Sequence, residues 1–219
     1  MKKIYFVHVP KTAGSFIKDC YGSYKNFYPN TRNDREHKFP IKAKRLGSTC
    51  EAFRRQKDIN HFPSYKEDEN YVTADFKFSI IRNPFDWLVS YYHHSSRYDN
   101  GWGNVNEAMG FKTFKEFVTG FTTMPSDDWH VPFLSSTPYG QVLYKDELMV
   151  DKCFKQEKLF ELHDYFLNNF NIKNSINSRV NRSVKRKSKD YRSYYDQEMI
   201  DLVYKKMNRE LKYFKYDFE

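Results

Sequence analysis

Lys11, Thr12, Gly14 and Ser15 fall together in Pro10-Lys11-Thr12-Ala13-Gly14-Ser15. One ammonium, two hydroxyls and a backbone position without a side chain are the groups that hold an anion. A second set lies at Arg82-Asn83-Pro84, where a guanidinium closes an apolar run and Ser90 follows two helical turns later. A third candidate is His61 in Asn60-His61-Phe62-Pro63. An imidazole with its ordinary pKa near 6.5 suits a general base at neutral pH.

Elements must position these groups. Ile4 to Val9 is a short run rich in β-branched and aromatic residues, the pattern of a buried strand that Pro10 stops. Ser15 is expected to cap a helix running through Phe16, Ile17 and Cys20, leaving N–H groups beside Lys11. His8, on the face opposite Val7 and Val9, is expected to pack against or orient the loop. Phe76 to Ile81 repeats the plan as an apolar strand ending in Arg82, and Pro84 fits the first turn of a helix that continues toward Arg97.

Farther along, a helix is expected from Thr113 to Phe121 with Phe114, Phe117, Val118 and Phe121 on one stripe. Met149 to Leu159 reads as a strand leading into a helix over Lys158 to Phe170, with Glu157 in a structural role. Asp196 to Leu211 reads as a last helix with Met199, Val203 and Met207 inward. Residues 21 to 70 are polar and rich in proline; short helices over Phe39 to Leu46 and Cys50 to Gln56, within loops near the site, are the expectation there.

The chain has 219 residues, enough for one domain with a sizeable core and short for two, so one domain over 1–219 is expected. Aromatic residues make up 19%, so rings are expected to fill the core. A net charge of +9 favours anionic partners, yet 37 basic against 28 acidic residues make a mixed surface. Nucleic acid is not the expected partner, since no zinc-finger or RNP-type signature accompanies the charge. Cys20, Cys50 and Cys153 are scattered and odd in number, which suits neither a disulfide framework nor a zinc site. His93 and His94 point about a hundred degrees apart on a helix, and Asp127, Asp128 and His130 lack a ligand spacing, so no metal is expected. With no signal-peptide pattern and no apolar run of about eighteen residues, the expectation is a soluble, cytoplasmic protein without a membrane segment.

The loop Pro10 to Ser15 resembles the 5′-phosphosulfate loop of sulfotransferases that use 3′-phosphoadenosine 5′-phosphosulfate (PAPS). The Arg82 stretch is similar to the 3′-phosphate motif of the same family, and the two stand in the family's order. The resemblance extends to Tyr191-Arg192-Ser193-Tyr194-Tyr195 and the closing Phe214 to Phe218, which look like a pattern of several carbohydrate sulfotransferases. It implies an α/β fold, a central and mostly parallel sheet flanked by helices, similar in plan to P-loop kinases. It further implies that Lys11, Thr12, Ala13, Gly14, Ser15 and Phe16 surround the phosphosulfate and that Arg82 and Ser90 hold the 3′-phosphate. Arg182, Lys187 and Tyr191 then belong to a late loop over the nucleotide. His61 lies about as far before Arg82 as the catalytic histidine of heparan and uronyl sulfotransferases, which makes it the expected base, with Lys11 the catalytic cation and a carbohydrate hydroxyl the expected acceptor.

Two other classes stay open on the residues. A nucleotide kinase or NTPase of similar plan would need a Walker loop, in which lysine follows the glycines, whereas Lys11 precedes Gly14 and the second strand ends in arginine rather than aspartate. A non-catalytic basic module for polyanions would explain the charge but not the two anion motifs.

Overall fold

The computed structural model describes residues 2–29, 68–97, 104–123, 139, 142–144, 147–173, 188 and 190–219. The expected helices over 39–46 and 50–56, together with His61, Arg182 and Lys187, lie outside the described residues. Contacts group the chain into two compact units, one built from segments up to Arg82 and from 139–173, the other from Asn83–Thr123 and from 188–219.

The first unit is an α/β layer. Strands β1 (Ile4–Val7), β2 (Phe27–Pro29), β3 (Phe76–Ile81) and β6 (Lys152–Lys155) form a four-stranded sheet in the order β2-β1-β3-β6. Every pairing is parallel, with Ile4 opposite both Phe27 and Phe76 and Phe78 opposite Lys152. The central strands β1 and β3 are the apolar ones, as a sheet covered on both faces requires. The edges are blunted: β2 is three residues long and ends in Pro29, and β6 carries Lys152 and Lys155. β1 stops at Val7, two residues short of the expected Val9, because Val9 is fully buried without joining the ladder.

Helices α1 (Gly14–Tyr21) and α6 (Leu159–Phe170) cover one face. Alternation turns Phe6, Phe76, Phe78, Ile80 and Phe154 toward Ile17, Cys20, Leu162 and Phe166. The contacts are mostly ring on ring: Phe6–Phe78 at 5.0 Å, Phe78–Phe166 at 5.1 Å and Tyr21–Phe166 at 4.6 Å between centroids. Such pairs add about 0.5–1.5 kcal/mol each beyond the area they bury. On the other side of β1, Tyr5 meets Tyr71 of the one-turn helix α2 (Glu69–Val72) at 5.5 Å. The same tyrosine donates to Asp68 at 3.1 Å. A two-stranded antiparallel hairpin, β4 (Leu143–Tyr144) with β5 (Glu147–Leu148), precedes β6. The turn between β6 and α6 is a short 3₁₀ segment over Gln156–Lys158, so α6 begins one residue later than expected.

The second unit is helical: α3 (Pro84–Ser95), α4 (Val105–Ala108), α5 (Phe114–Thr123) and α7 (Gln197–Phe214). Asn83 caps α3 through Oδ1 on the Phe85 N–H, Pro84 occupies the first turn, and the helix ends at Ser95 rather than running to Arg97. Trp87 and Tyr91 of α3 pack near Phe121 and Phe117 of α5, at 6.1 and 6.2 Å. Asp196 caps α7 by accepting the Met199 N–H, and Met199, Val203, Met207 and Leu211 recur every fourth residue on its buried side.

Candidate functional site

The turn from β1 to α1 brings together most of the residues expected to bind an anion. Lys11 and Ala13 both take left-handed backbone conformations, with φ of 65° and 68°. That geometry folds the chain back on itself within a few residues before α1 begins. The Thr12 side chain is fully buried and its hydroxyl donates to the Val9 carbonyl at 2.7 Å. Thr12 therefore locks the turn from inside, and what it can offer outward is its backbone.

Ser15 is not the cap. The helix starts at Gly14, Ala13 holds the capping position, and among the described residues no side chain caps the N–H groups there. The left-handed residue at 13 starts the helix earlier than a serine cap would have done, and Ser15 becomes an exposed residue of the first turn. The first intrahelical bond runs from the Ile17 N–H to the Ala13 carbonyl at 3.1 Å. Among the described residues, no acceptor engages the N–H groups of Ala13, Gly14, Ser15 and Phe16. Four donors at the positive end of a helix dipole make an anion cradle.

Gly14 is demanded by its neighbour. A Cβ built there would lie 1.9 Å from Cδ2 and 2.0 Å from Nε2 of His8. His8 packs its ring over the glycine and tilts against Phe6 at 5.8 Å.

Arg82 is joined to the same turn. Its side chain is 8% exposed, and Nη1 donates to the Lys11 carbonyl at 3.1 Å. The Arg82 carbonyl accepts from the hydroxyl of Tyr139, a fully buried residue. Both the guanidinium and the backbone of Arg82 are thus fixed. A guanidinium is a planar fork with five donors, a shape that matches the oxygens of a phosphate.

Behind the loop, Phe16 meets His163 edge-on at 6.1 Å, and the Tyr21 hydroxyl is bonded to His163 Nδ1. Burial lowers the His163 pKa from its ordinary value and raises that of Tyr21, so the pair is neutral and holds α1 against α6. Burial pushes the Cys20 thiol up to about 11 and that of Cys153 to about 12, so neither is a nucleophile at neutral pH.

Ser90 and Tyr191 belong to the second unit. Ser90 is 7% exposed on α3. Tyr191 opens a 3₁₀ turn over Tyr191–Tyr194, and its hydroxyl donates to the Phe218 carbonyl at 2.8 Å. Three features of these turns escaped sequence reasoning. The left-handed residues carry no glycine to signal them, and Tyr139 stands far from Arg82 in sequence. Asn83 did carry a signal, since asparagine before proline is a frequent helix start.

A parallel α/β sheet whose first strand opens onto a helix start, with a buried arginine tied to that loop, is an arrangement that can receive an anion. The model of the sulfotransferase family matches residues 1–217, and the chain belongs to that family. Its general activity is transfer of a sulfuryl group. No curated protein and no solved structure gives a significant match. No helix among the described residues is long and apolar enough to cross a membrane, and no cluster of three or more potential metal ligands occurs among them.

Proposed function

We propose that the protein transfers the sulfuryl group of PAPS to a hydroxyl of a carbohydrate acceptor. The observation that carries the reading is the row of N–H groups from Ala13 to Phe16, beside Lys11, that no described residue engages. The donor's terminal oxygens are anionic, and the cradle offers them fixed donors.

The acceptor oxygen attacks sulfur in line as the bond from sulfur to the bridging oxygen breaks. The departing electron pair stays on the 5′-phosphate of the nucleotide, and the hydroxyl proton passes to a base. Charge therefore grows on the bridging oxygen, where the Lys11 ammonium and the N–H groups of α1 stabilise it more in the transition state than in the ground state. The resemblance assigns the 3′-phosphate to Arg82 and Ser90. The resemblance assigns the base to His61, which would contribute roughly 10²–10⁴-fold. It also supports Arg182 and Lys187 as further cations toward the nucleotide, and the carbohydrate acceptor rests on the same likeness.

Calorimetric titration with the product nucleotide, 3′-phosphoadenosine 5′-phosphate, beside 5′-AMP and ATP with magnesium, tests the donor. Micromolar affinity for the first, lost in Arg82→Ala, is expected. Equal affinity for ATP with magnesium and no gain from the 3′-phosphate would sink the proposal in favour of a kinase-like enzyme. His61→Ala, assayed with a panel of saccharide acceptors, should lower kcat and leave nucleotide affinity in place. Unchanged turnover would remove His61 from the mechanism.

A further inference from the structure

The second unit holds a cluster of hydrogen bonds that the mechanism above does not use. Asn83 is 8% exposed and employs both ends of its amide. Oδ1 accepts the Phe85 N–H at 2.9 Å, while Nδ2 donates to the Asp217 carbonyl at 2.7 Å and to the Tyr191 hydroxyl at 3.3 Å. The Tyr191 hydroxyl donates in turn, at 2.8 Å to the Phe218 carbonyl and 3.2 Å from that of Glu219. The Phe218 ring stands edge-on to Phe85, Tyr195 and Tyr191 at 4.9, 5.5 and 5.8 Å. Its N–H reaches the Tyr204 hydroxyl at 3.1 Å, and Tyr204 is itself bonded to the Asp217 carboxylate.

Two chemical limits apply. A phenol has one proton, and that of Tyr191 is directed at backbone carbonyls, which leaves none to donate to an anion. A primary amide is the small side chain that presents an acceptor to a helix N–H and donors to a carbonyl and a phenol at once. Asn83 therefore fastens three segments to one point: the first turn of α3, the turn at Tyr191, and residues 217–218. A second tie, His93 to the Tyr194 hydroxyl at 3.1 Å, joins the other end of α3 to the same turn.

We infer that Asn83 and Tyr191 form a clasp that positions α3, and with it Ser90, for the nucleotide donor, and that Tyr191 is a positioning residue rather than a ligand of the donor. This rests on the reading of the donor as PAPS. The clasp is one unit, so breaking either member releases it, and breaking both releases nothing more.

The test is a double-mutant cycle on the full chain, read by titration with 3′-phosphoadenosine 5′-phosphate and by thermal melting. Asn83→Ser keeps an oxygen for the cap and loses the amide donors. Tyr191→Phe keeps the ring against Phe218 and loses the hydroxyl. Each single variant should bind the nucleotide about tenfold more weakly, and the double variant also about tenfold. A double variant weakened about a hundredfold, the product of independent effects, would make Tyr191 a direct ligand and overturn the inference. Single variants that melt earlier yet bind with wild-type affinity would overturn it as well, leaving the clasp to stability alone. A wild-type protein that fails to bind the nucleotide removes the donor reading and the inference together, which the control titration separates from the other outcomes.

Discussion

The chain leaves a strand for a helix twice beside a candidate anion-binding group, and it does so in opposite ways. After β1 the turn contains two left-handed residues, and the helix begins without a side-chain cap. After β3 the turn is short, Asn83 caps the helix and Pro84 fills its first position. No described residue accepts from the four N–H groups of the first turn, while Asn83 accepts from an N–H of the second. The anion-binding capacity of the first turn thus lies in the backbone, with Lys11 added. That of the second lies in one side chain, Arg82, whose guanidinium and carbonyl are both held by other residues. Backbone donors at a helix start suit charge that develops during a reaction, because they need no reorganisation. A fixed guanidinium suits charge already present on a bound phosphate.

That division is open to a direct attack. Lys11→Ala should lower kcat about 10²–10³-fold, the scale of losing one group that stabilises a developing anion. Nucleotide affinity should change far less than in Arg82→Ala. Steady-state kinetics with saturating donor, alongside titration of the product nucleotide, gives both numbers. If Lys11→Ala weakened binding and left kcat intact, the two turns would share one role and the contrast would fall.

Gly14→Ala sharpens the contrast at the next scale. Its Cβ would collide with the His8 ring, whereas the second turn, Arg82-Asn83-Pro84, contains no glycine, so of the two turns only the first depends on a missing side chain. Overpacking of this kind destabilises by about 1–3 kcal/mol. His8→Ala combined with Gly14→Ala should recover part of the loss, since the atoms in conflict belong to that ring. Denaturant midpoints of the two single variants and the double variant measure it. A Gly14→Ala protein as stable as the parent would show that His8 swings aside freely and does not orient the loop.

The contrast also explains what sequence could reveal. β3 and the start of α3 were legible to the residue, because an apolar run and a proline each act locally. β1 was legible in type but not in extent: hydrophobicity reports burial, and Val9 is buried without pairing. The start of α1 was misread because Ser15 looks like a cap, whereas the left-handed backbone at Lys11 and Ala13 has no glycine to mark it. β2 was missed, since Phe27-Tyr28-Pro29 is too short for alternation to show and ends in a residue typical of loops. At the site, the loop and Arg82 could be paired from motif order. Tyr139, and the clasp from Asn83 to residues 217–218, depend on contacts distant in sequence that no local pattern encodes.

The smallest effect concerns the strain in the first turn itself. A left-handed conformation costs an ordinary residue about 1–2 kcal/mol, and glycine avoids this while losing about 0.5–1 kcal/mol more backbone freedom on folding. Ala13 is in that region at the head of α1, where glycine is also the better capping residue. Ala13→Gly should therefore stabilise the protein by up to about 1 kcal/mol, seen as a rise in Tm of about 2–4 °C. The equivalent change at the second turn, Asn83→Gly, should lower Tm, because Asn83 has a φ of −51°, outside the left-handed region, and its side chain makes the cap and two further bonds. Opposite signs at the two turns would show that the first holds its open donors against a conformational cost, while the second is closed because closure stabilises it. Equal signs would mean that the Ala13 methyl makes packing contacts worth more than the strain it imposes.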